Sequence, residues 1–243
     1  MSGRVVWVTG AGSGMGRAAA VAAARTGRRV ALSGRRREAL EETASLAAEA
    51  GRDAGGETLV VPLDVADAGA VPGAAALVRE RWGRVDDLVL AAGLNQPRRA
   101  WADQDLAGFS DVVTTNLTGV VAVVDAALPD LRASGGQVVV VSSYSGWRFS
   151  PGAGVAYSSS KTALTMVCQT LNAQEARHGV RACHLCPGDV DTDFLGFRPQ
   201  VPDEAARAVM LTPDDVARTV LFVLDSPAHV RIDELVVSPV SQT

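Results

Sequence analysis

The chain has 243 residues, 47% of them hydrophobic and 21% charged, with a formal net charge of −4. That is one large domain or two small ones, with enough apolar mass for a real core. The acidic balance argues against a nucleic-acid binder, which would be basic, and there is no polybasic patch for anionic lipid. One count stands out: of the 23 basic residues, 22 are arginine and a single one, Lys161, is lysine. Residues 1–10 show no long apolar stretch of a secretory signal. The longest apolar run, 119–128, is too short for a bilayer and contains Asp125. No membrane segment is expected, and a reducing cytoplasm is the expected setting.

In chain order, the first apolar run, 4–9 RVVWVT, ends in Thr9-Gly10-Ala11-Gly12-Ser13-Gly14-Met15-Gly16, and a helix is predicted over 15–26. Glycines let the chain turn tightly, bring backbone N–H groups against a pyrophosphate and let the helix sit close on the sheet. The helix N-terminus adds partial positive charge. The spacing fits TGxxxGxG rather than GxGxxG and points to a dinucleotide.

The second strand, 29–33, ends Ser33-Gly34-Arg35-Arg36-Arg37. An acidic residue here would bind the adenosine ribose of NAD and repel a 2′-phosphate. Gly34 followed by arginines points to NADP instead, with Arg35 or Arg36 gripping the phosphate and Arg37 opening the helix 36–50. Strand 58–63, helix 67–82, strand 87–91, a long helix 104–133 and strand 137–142 follow. The next helix, 155–178, opens with Tyr157-Ser158-Ser159-Ser160-Lys161, and strand 180–186 follows it. The segment 188–211 is irregular and reads as a substrate loop or lid. Thr212-Pro213-Asp214-Asp215 reads as a capped start of a helix at 213–225, and 235–237 is the last strand. Gly27, Gly51, Gly83 and Gly179 stand where helices should stop. Continuous Val-rich strands alternating with amphipathic helices predict a single α/β domain over 1–243. It would be doubly wound, with a seven-stranded parallel sheet and helices on both faces.

Tyr157 and Lys161 are spaced i, i+4, one turn apart on one helix face. A free phenol has a pKa of about 10. A nearby ammonium favours the phenolate and makes the phenol a usable proton donor to a carbonyl oxygen. Of the cysteines, Cys183 and Cys186 have CxxC spacing, but no second ligand pair accompanies them, and they read as buried strand residues. His178, His184 and His229 show no metal spacing, and no metal is expected.

With these motifs the chain resembles the short-chain dehydrogenase/reductase family, in its compact TGxxxGxG and YxxxK form, over nearly its whole length. The resemblance implies Tyr157 and Lys161 as catalytic, with Asn116 in Asn116-Leu117-Thr118-Gly119 and Ser143 in Ser143-Tyr144-Ser145-Gly146. Ser143 would donate to the substrate oxygen and Tyr157 transfer the proton. Lys161 would hold the nicotinamide ribose, and Asn116 would anchor water in a relay. Ser143 lies 14 residues before Tyr157, and Ser145 and Ser142 stay open as alternatives. The resemblance also implies cofactor contacts from Gly10, Gly12, Ser13, Gly14, Met15 and Gly16 and from Asp64-Val65 on the adenine side. Ala92, Gly93, Pro187 and Gly188 would add to these, with Val190 and Thr192 facing the nicotinamide amide.

The chain has Leu90-Ala91-Ala92-Gly93 where the family often has NNAG, which predicts a local packing difference. Its tail is similar to the NADP-dependent 3-hydroxy acid dehydrogenases and related carbonyl reductases.

For substrate, Gln96, Trp147, Arg148, Phe149 and Phe194 are the candidates, together an apolar wall with Arg148 as a possible carboxylate partner. The expected activity is NADP(H)-dependent carbonyl reduction or the reverse alcohol oxidation. A non-catalytic NADP(H) sensor of the same fold is the alternative, which could dispense with the tyrosine and lysine. A homodimer or homotetramer is expected by resemblance, through the helices 104–133 and 155–178.

Overall fold

Seven parallel strands form one sheet in the order β3-β2-β1-β4-β5-β6-β7. The computed structural model describes residues 3–242. The strands are β1 Val5–Thr9, β2 Arg29–Gly34, β3 Glu57–Pro62, β4 Asp87–Leu90, β5 Gln137–Val141, β6 Arg181–Pro187 and β7 Glu234–Val237. Each matches a predicted run to within a residue or two. The central strands β1, β4 and β5 are buried along their whole length, whereas the outer β3 and β7 are half-exposed. Val-rich runs suit strands covered on both faces, and each neighbour pair runs in parallel register.

Helices α1 Gly14–Arg25, α2 Arg37–Gly51 and α9 Pro213–Leu224 cover one face of the sheet. Ala20, Ala24, Leu40, Val216 and Val220 pack there on Val8, Leu32 and Leu185. On the other face lie α3 Val71–Trp82, α5 Gly119–Ser134 and α7 Val155–Glu175. Their Val78, Val123, Leu131 and Leu164 pack on Trp7, Leu88 and Val138. Both apolar stripes are thus consumed by one sheet, and the chain is a single doubly wound α/β layer structure.

The predicted helix 104–133 is two helices, α4 Leu106–Val113 and α5, joined by a π-helical turn at Thr114–Thr118. The start at Thr212 carries a full capping box with Asp215, and Pro213 sits in the first turn. Gly27, Gly83 and Gly179 have positive φ as helix stops; Gly51 does not. Gly51 is required for another reason: a Cβ there would lie 2.7 Å from the Ala24 carbonyl oxygen. Within the irregular 188–211 segment lie a 3₁₀ turn, Asp193–Phe197, and a one-turn helix α8, Glu204–Arg207. A further one-turn helix, α6 Tyr144–Trp147, follows β5.

At the amino ends of the strands, the Asp87 carboxylate accepts a fork from Arg4, at 2.8 and 2.7 Å, and the N–H of Gln137 at 2.9 Å. Asp86 accepts the N–H of Val5 at 2.8 Å. These buried carboxylates tie β1, β4 and β5 at the edge away from the site. The carboxyl edge is left open at the β1/β4 switch in strand order, where ligands bind in such sheets.

Candidate active site

A cleft of about 850 Å³ runs along this carboxyl edge. Its first wall is the glycine turn after β1. Gly10 has φ +67°, and a Cβ there would lie 2.6 Å from the Ala91 carbonyl oxygen. A Cβ on Gly16 would lie 2.2 Å from the carbonyl oxygen of Gly10. Gly12, Ser13, Gly14 and Met15 line the same wall. Ser13 caps α1 without a side-chain hydrogen bond, and the first turn of α1 has no acidic residue. Its amides and hydroxyl are therefore available to an anion. Arg17 holds this turn from outside, donating to the Gly12 carbonyl at 2.7 Å, and buried Thr43 donates to the Ala11 carbonyl at 2.9 Å.

Beyond β2 the cleft is lined by Gly34, Arg35 and Arg36. Arg37 lies in α2 and pairs with Glu41 at 3.5 Å. Asp64 and Val65 close the same end, and the Asp64 carboxylate is partly engaged by the Ala66 N–H at 3.0 Å. Gly119 fits close behind them: its Cβ would lie 2.9 Å from the Val65 carbonyl oxygen. Ala92 and Gly93 line the middle of the cleft. Thr192 lines it as well, whereas Val190 is buried against the second core cluster and bridges Leu211. Val190, expected to face a nicotinamide, therefore supports the loop from behind, because its isopropyl group is taken up by the core. Pro187 ends β6, and the Gly188 N–H donates to the Val237 carbonyl at 2.7 Å; neither of these expected cofactor contacts lines the cleft.

At the inner end Tyr157 and Lys161 both line the cleft. The Lys161 ammonium donates to the Val141 carbonyl at 2.9 Å and lies 5.8 Å from the centre of the Tyr157 ring. Burial pulls the lysine down to about 8. Burial also pushes the Tyr157 phenol up, opposed by a hydrogen bond with the Ser143 side chain and then by Arg99 and Arg198. The spacing predicts Lys161 as the acidifying group. In the structure burial outweighs the groups that lower the phenol, and the ammonium is spent on the Val141 carbonyl.

The three candidate serines have separate tasks. Ser142 donates to the Lys161 carbonyl at 3.1 Å, and Ser145 gives its backbone N–H to the Ser143 hydroxyl at 3.1 Å. Of the three, Ser143 is the one that lowers the phenol. Asn116 is fully buried within the π turn. Its amide accepts from Leu94 N–H at 2.7 Å and donates to the Leu94 carbonyl at 2.9 Å and to Ser160 at 3.2 Å. The side chain therefore fastens the strand end after β4 to the catalytic helix. The water-anchoring role that the resemblance implies for Asn116 is not what its side-chain amide does here, since that amide is taken up by Leu94 and Ser160.

The substrate candidates divide. Phe194 lies against Tyr157, ring centres 6.0 Å apart, and Phe197 lies 5.1 Å from Phe194. The Gln96 amide instead packs on Gly108 of α4, where a Cβ would meet it. Arg148 stacks on Trp147 at 4.1 Å, Trp147 meets Tyr144 edge-on at 5.3 Å, and Phe149 is 85% exposed. Gln96, Trp147, Arg148 and Phe149 do not line the cleft. Trp147 ends the one-turn helix α6, which the sequence pattern did not reveal, and Arg148 and Phe149 follow it.

The profile of the short chain dehydrogenase family matches residues 4–201. The chain belongs to the short-chain dehydrogenase/reductase family. It is therefore an oxidoreductase of a fold that binds a nicotinamide dinucleotide. A glycine betaine reductase of Emericella nidulans is 34% identical over 98% of the chain, which spans only 19% of that relative. An alcohol dehydrogenase from Thermococcus sibiricus, complexed with 5-hydroxy-NADP, shares 33% identity and a TM-score of 0.87, covering 99% of this chain and 98% of that one. A short-chain dehydrogenase from Mycobacterium paratuberculosis, bound to NAD, shares 26% identity and a TM-score of 0.82 over 97% and 96% of the chains.

Within this short-chain dehydrogenase, the structure adds residues that the motifs did not reveal: Arg17, Thr43, Ser160, Arg99 and Arg198. Arg17 directly follows the glycine turn and Ser160 lies within the Tyr157–Lys161 turn without being part of either motif's spacing, and Thr43, Arg99 and Arg198 reach the site from distant elements or loops. Cys183 and Cys186 stand three apart on β6, so their thiols point to opposite faces and form no pair. Burial pushes both thiols up to about 12. Among the described residues, His184, Cys186 and Glu234 could hold a metal, with donor atoms within 4.8 Å of one another. The His184 ring is already satisfied by Glu234 at 3.1 Å and the Lys161 carbonyl at 3.3 Å.

Proposed function

We propose that this protein transfers a hydride between NADP(H) and the carbonyl or alcohol carbon of a small or medium substrate. The observation that carries this reading is the convergence of Tyr157 and Lys161 at one end of a cleft whose other end carries Arg35 and Arg36. Both arginines are exposed, among the described residues neither has an ion-pair partner, and Gly34 offers no carboxylate to repel a 2′-phosphate. One charge-assisted bond contributes about 1.5–3 kcal/mol, a preference of roughly tenfold to a hundredfold.

The glycine turn fits a dinucleotide, since side chains there would fill the cradle that a pyrophosphate needs. Gly12, Ser13, Gly14 and the α1 amides would hold that pyrophosphate, Asp64 and Val65 the adenine, and Lys161 the ribose next to the reacting ring. When bound, the cofactor supplies or accepts the hydride. Ser143 donates a hydrogen bond to the substrate oxygen. Tyr157 gives its phenolic proton to that oxygen in reduction and takes it back in oxidation. Phe194 and Phe197 cover the reacting carbon and exclude water. The retained tyrosine and lysine favour turnover over sensing. A homodimer or homotetramer in a reducing cytoplasm completes the reading, supported by three free, buried cysteines and by exposed apolar residues on α5 and α7.

The test is NADPH oxidation against ketones, aldehydes, 3-oxo acids and diketones, by the wild type and Arg35→Ala. The expected result is turnover with at least one class. In the variant, KM for NADPH should rise roughly tenfold to a hundredfold while that for NADH changes little. Silence across the panel with NADPH tightly bound overturns the reductase reading. Equal changes for both cofactors overturn the NADP preference.

A further inference from the structure

Beside the catalytic tyrosine lies a positive charge that the proton transfer does not use. Arg99 comes from the loop after β4, docked by Asn95, which donates to the Ala153 carbonyl at 3.2 Å. The stem of Arg99 packs on Gly154, immediately before α7. A Cβ on Gly154 would lie 2.7 Å from the Arg99 Cβ and 3.1 Å from its Cγ, so glycine is needed for the arginine to fit. Tyr157 follows three residues later, on the first turn of α7.

Arg198 ends the 3₁₀ turn carrying Phe194 and Phe197. Arg198 is paired with Asp189 at 2.5 Å. Arg99 has no such partner among the described residues, and its Nε is out of contact with solvent and unbonded. Burial and the like charge of Arg198 both push the Arg99 guanidinium down, and the Tyr157 phenol pulls it up. The charged groups that act on the phenol are these two arginines; no carboxylate is among them.

A partly buried guanidinium whose Nε is left unbonded is costly unless a ligand completes it. It presents a planar fork suited to a carboxylate. Phe194, which lies against Tyr157, and Phe197 give the cleft next to the phenol an apolar wall. We propose that Arg99, assisted by the field of Arg198, is an anion subsite that binds the carboxylate of a short oxo acid whose carbonyl oxygen meets Tyr157 and Ser143. Arg148, whose guanidinium is stacked on the Trp147 ring, is not that partner. The subsite deepens the reductase reading and rests on it for its catalytic consequence, but it binds an anion whether or not turnover follows.

The experiment has two arms. In the first, kcat/KM for NADPH-dependent reduction is compared for 4-oxobutanoate and its methyl ester, which share a chain and differ in charge. The wild type should prefer the acid at least tenfold, and the ratio should fall to about one in Arg99→Gln, be partly restored in Arg99→Lys and persist in Arg148→Gln. In the second, butanoate and inorganic phosphate are titrated calorimetrically into the NADPH-loaded protein, which separates a carboxylate from a phosphate site. Butanoate should bind the wild type at least tenfold more tightly than Arg99→Gln, and more tightly than phosphate. NADPH affinity, governed by the far wall, reports that each variant is folded.

Equal preference for acid and ester, loss of the ratio in Arg148→Gln alone, or butanoate binding unchanged in Arg99→Gln overturns the subsite. So does phosphate binding the wild type better than butanoate. Butanoate binding that depends on Arg99, without turnover of any carbonyl, supports the subsite and overturns the reductase reading instead.

Discussion

Lys161 is the residue whose chemistry the composition singles out. Elsewhere arginine supplies every positive side-chain charge, yet at position 161 a compact ammonium lies between the Val141 carbonyl and the Tyr157 ring. A guanidinium is wider, planar and holds its proton far more firmly. Burial brings the lysine down to about 8, so in the folded protein it loses its charge well before an exposed lysine would. Because the folded state binds fewer protons than the unfolded one above that point, the lysine burdens stability at neutral pH. That burden lifts as pH climbs from about 8 toward the ordinary lysine value.

For turnover the sign is opposite: reduction uses the protonated phenol beside a charged lysine. The kcat/KM for reduction is expected to fall as pH rises through about 8. Lys161→Arg should keep the fold and the dinucleotide, lose roughly a hundredfold or more in kcat, and shift that alkaline limb upward. A pH–rate profile and circular dichroism on both proteins check this. Near wild-type turnover in the variant would contradict the reading.

At the scale of elements, the glycine turn and the helix it opens form one device. The TGxxxGxG spacing shows where glycines stand, but only the packing shows which of them are irreplaceable. Gly16 has backbone against it: its Cβ would lie 2.2 Å from the Gly10 oxygen, which cannot move without shifting β1. Gly12 meets only the Ala39 Cβ at 3.3 Å, a side chain at the edge of α2. Gly16→Ala should therefore cost about 1–3 kcal/mol, lowering Tm by roughly 2–12 °C, and abolish tight dinucleotide binding. Gly12→Ala should be distinctly milder in Tm. Thermal melts with and without NADPH separate the two, and equal losses would refute the distinction.

The π turn at Thr114–Thr118 is a second device of this kind. Its residues look like uninterrupted helix in sequence, because a single inserted residue leaves the apolar periodicity nearly unchanged. What it achieves, Asn116 turned onto Leu94 and Ser160, needs the neighbouring elements to be in place.

Across the whole molecule, both faces of the sheet are satisfied by helices, yet some apolar surface remains. The stretch Leu106–Ser134 is long and apolar enough by composition to cross a bilayer. Val120, Val123, Ala127 and Leu131 are nevertheless buried against the sheet. Val121 on α5 and Met166 on α7 are 46% and 55% exposed, apolar groups that a second copy would cover. Sedimentation equilibrium is expected to give a dimer or tetramer of the 25.2 kDa chain, and Val121→Glu with Met166→Glu a smaller species. A wild-type monomer at micromolar concentration would contradict this.

Sequence alone determined the strand and helix order, the parallel sheet, the glycine turn and the Tyr157–Lys161 pair. These depend on local periodicity, on backbone freedom and on residues one helical turn apart, all of which a linear chain displays. Only the tertiary structure separates the three serines: Ser142 is spent on the Lys161 carbonyl, Ser145 gives its N–H to Ser143, and Ser143 is the one that lowers the phenol. It also moved the candidate anion partner from Arg148 to Arg99. Residue 99 lies 58 positions from Tyr157, and the contact arises where the loop after β4 docks on Ala153 and Gly154. No spacing rule reaches that far; the docking of the Arg99 loop against the start of the catalytic helix is a property of the folded chain.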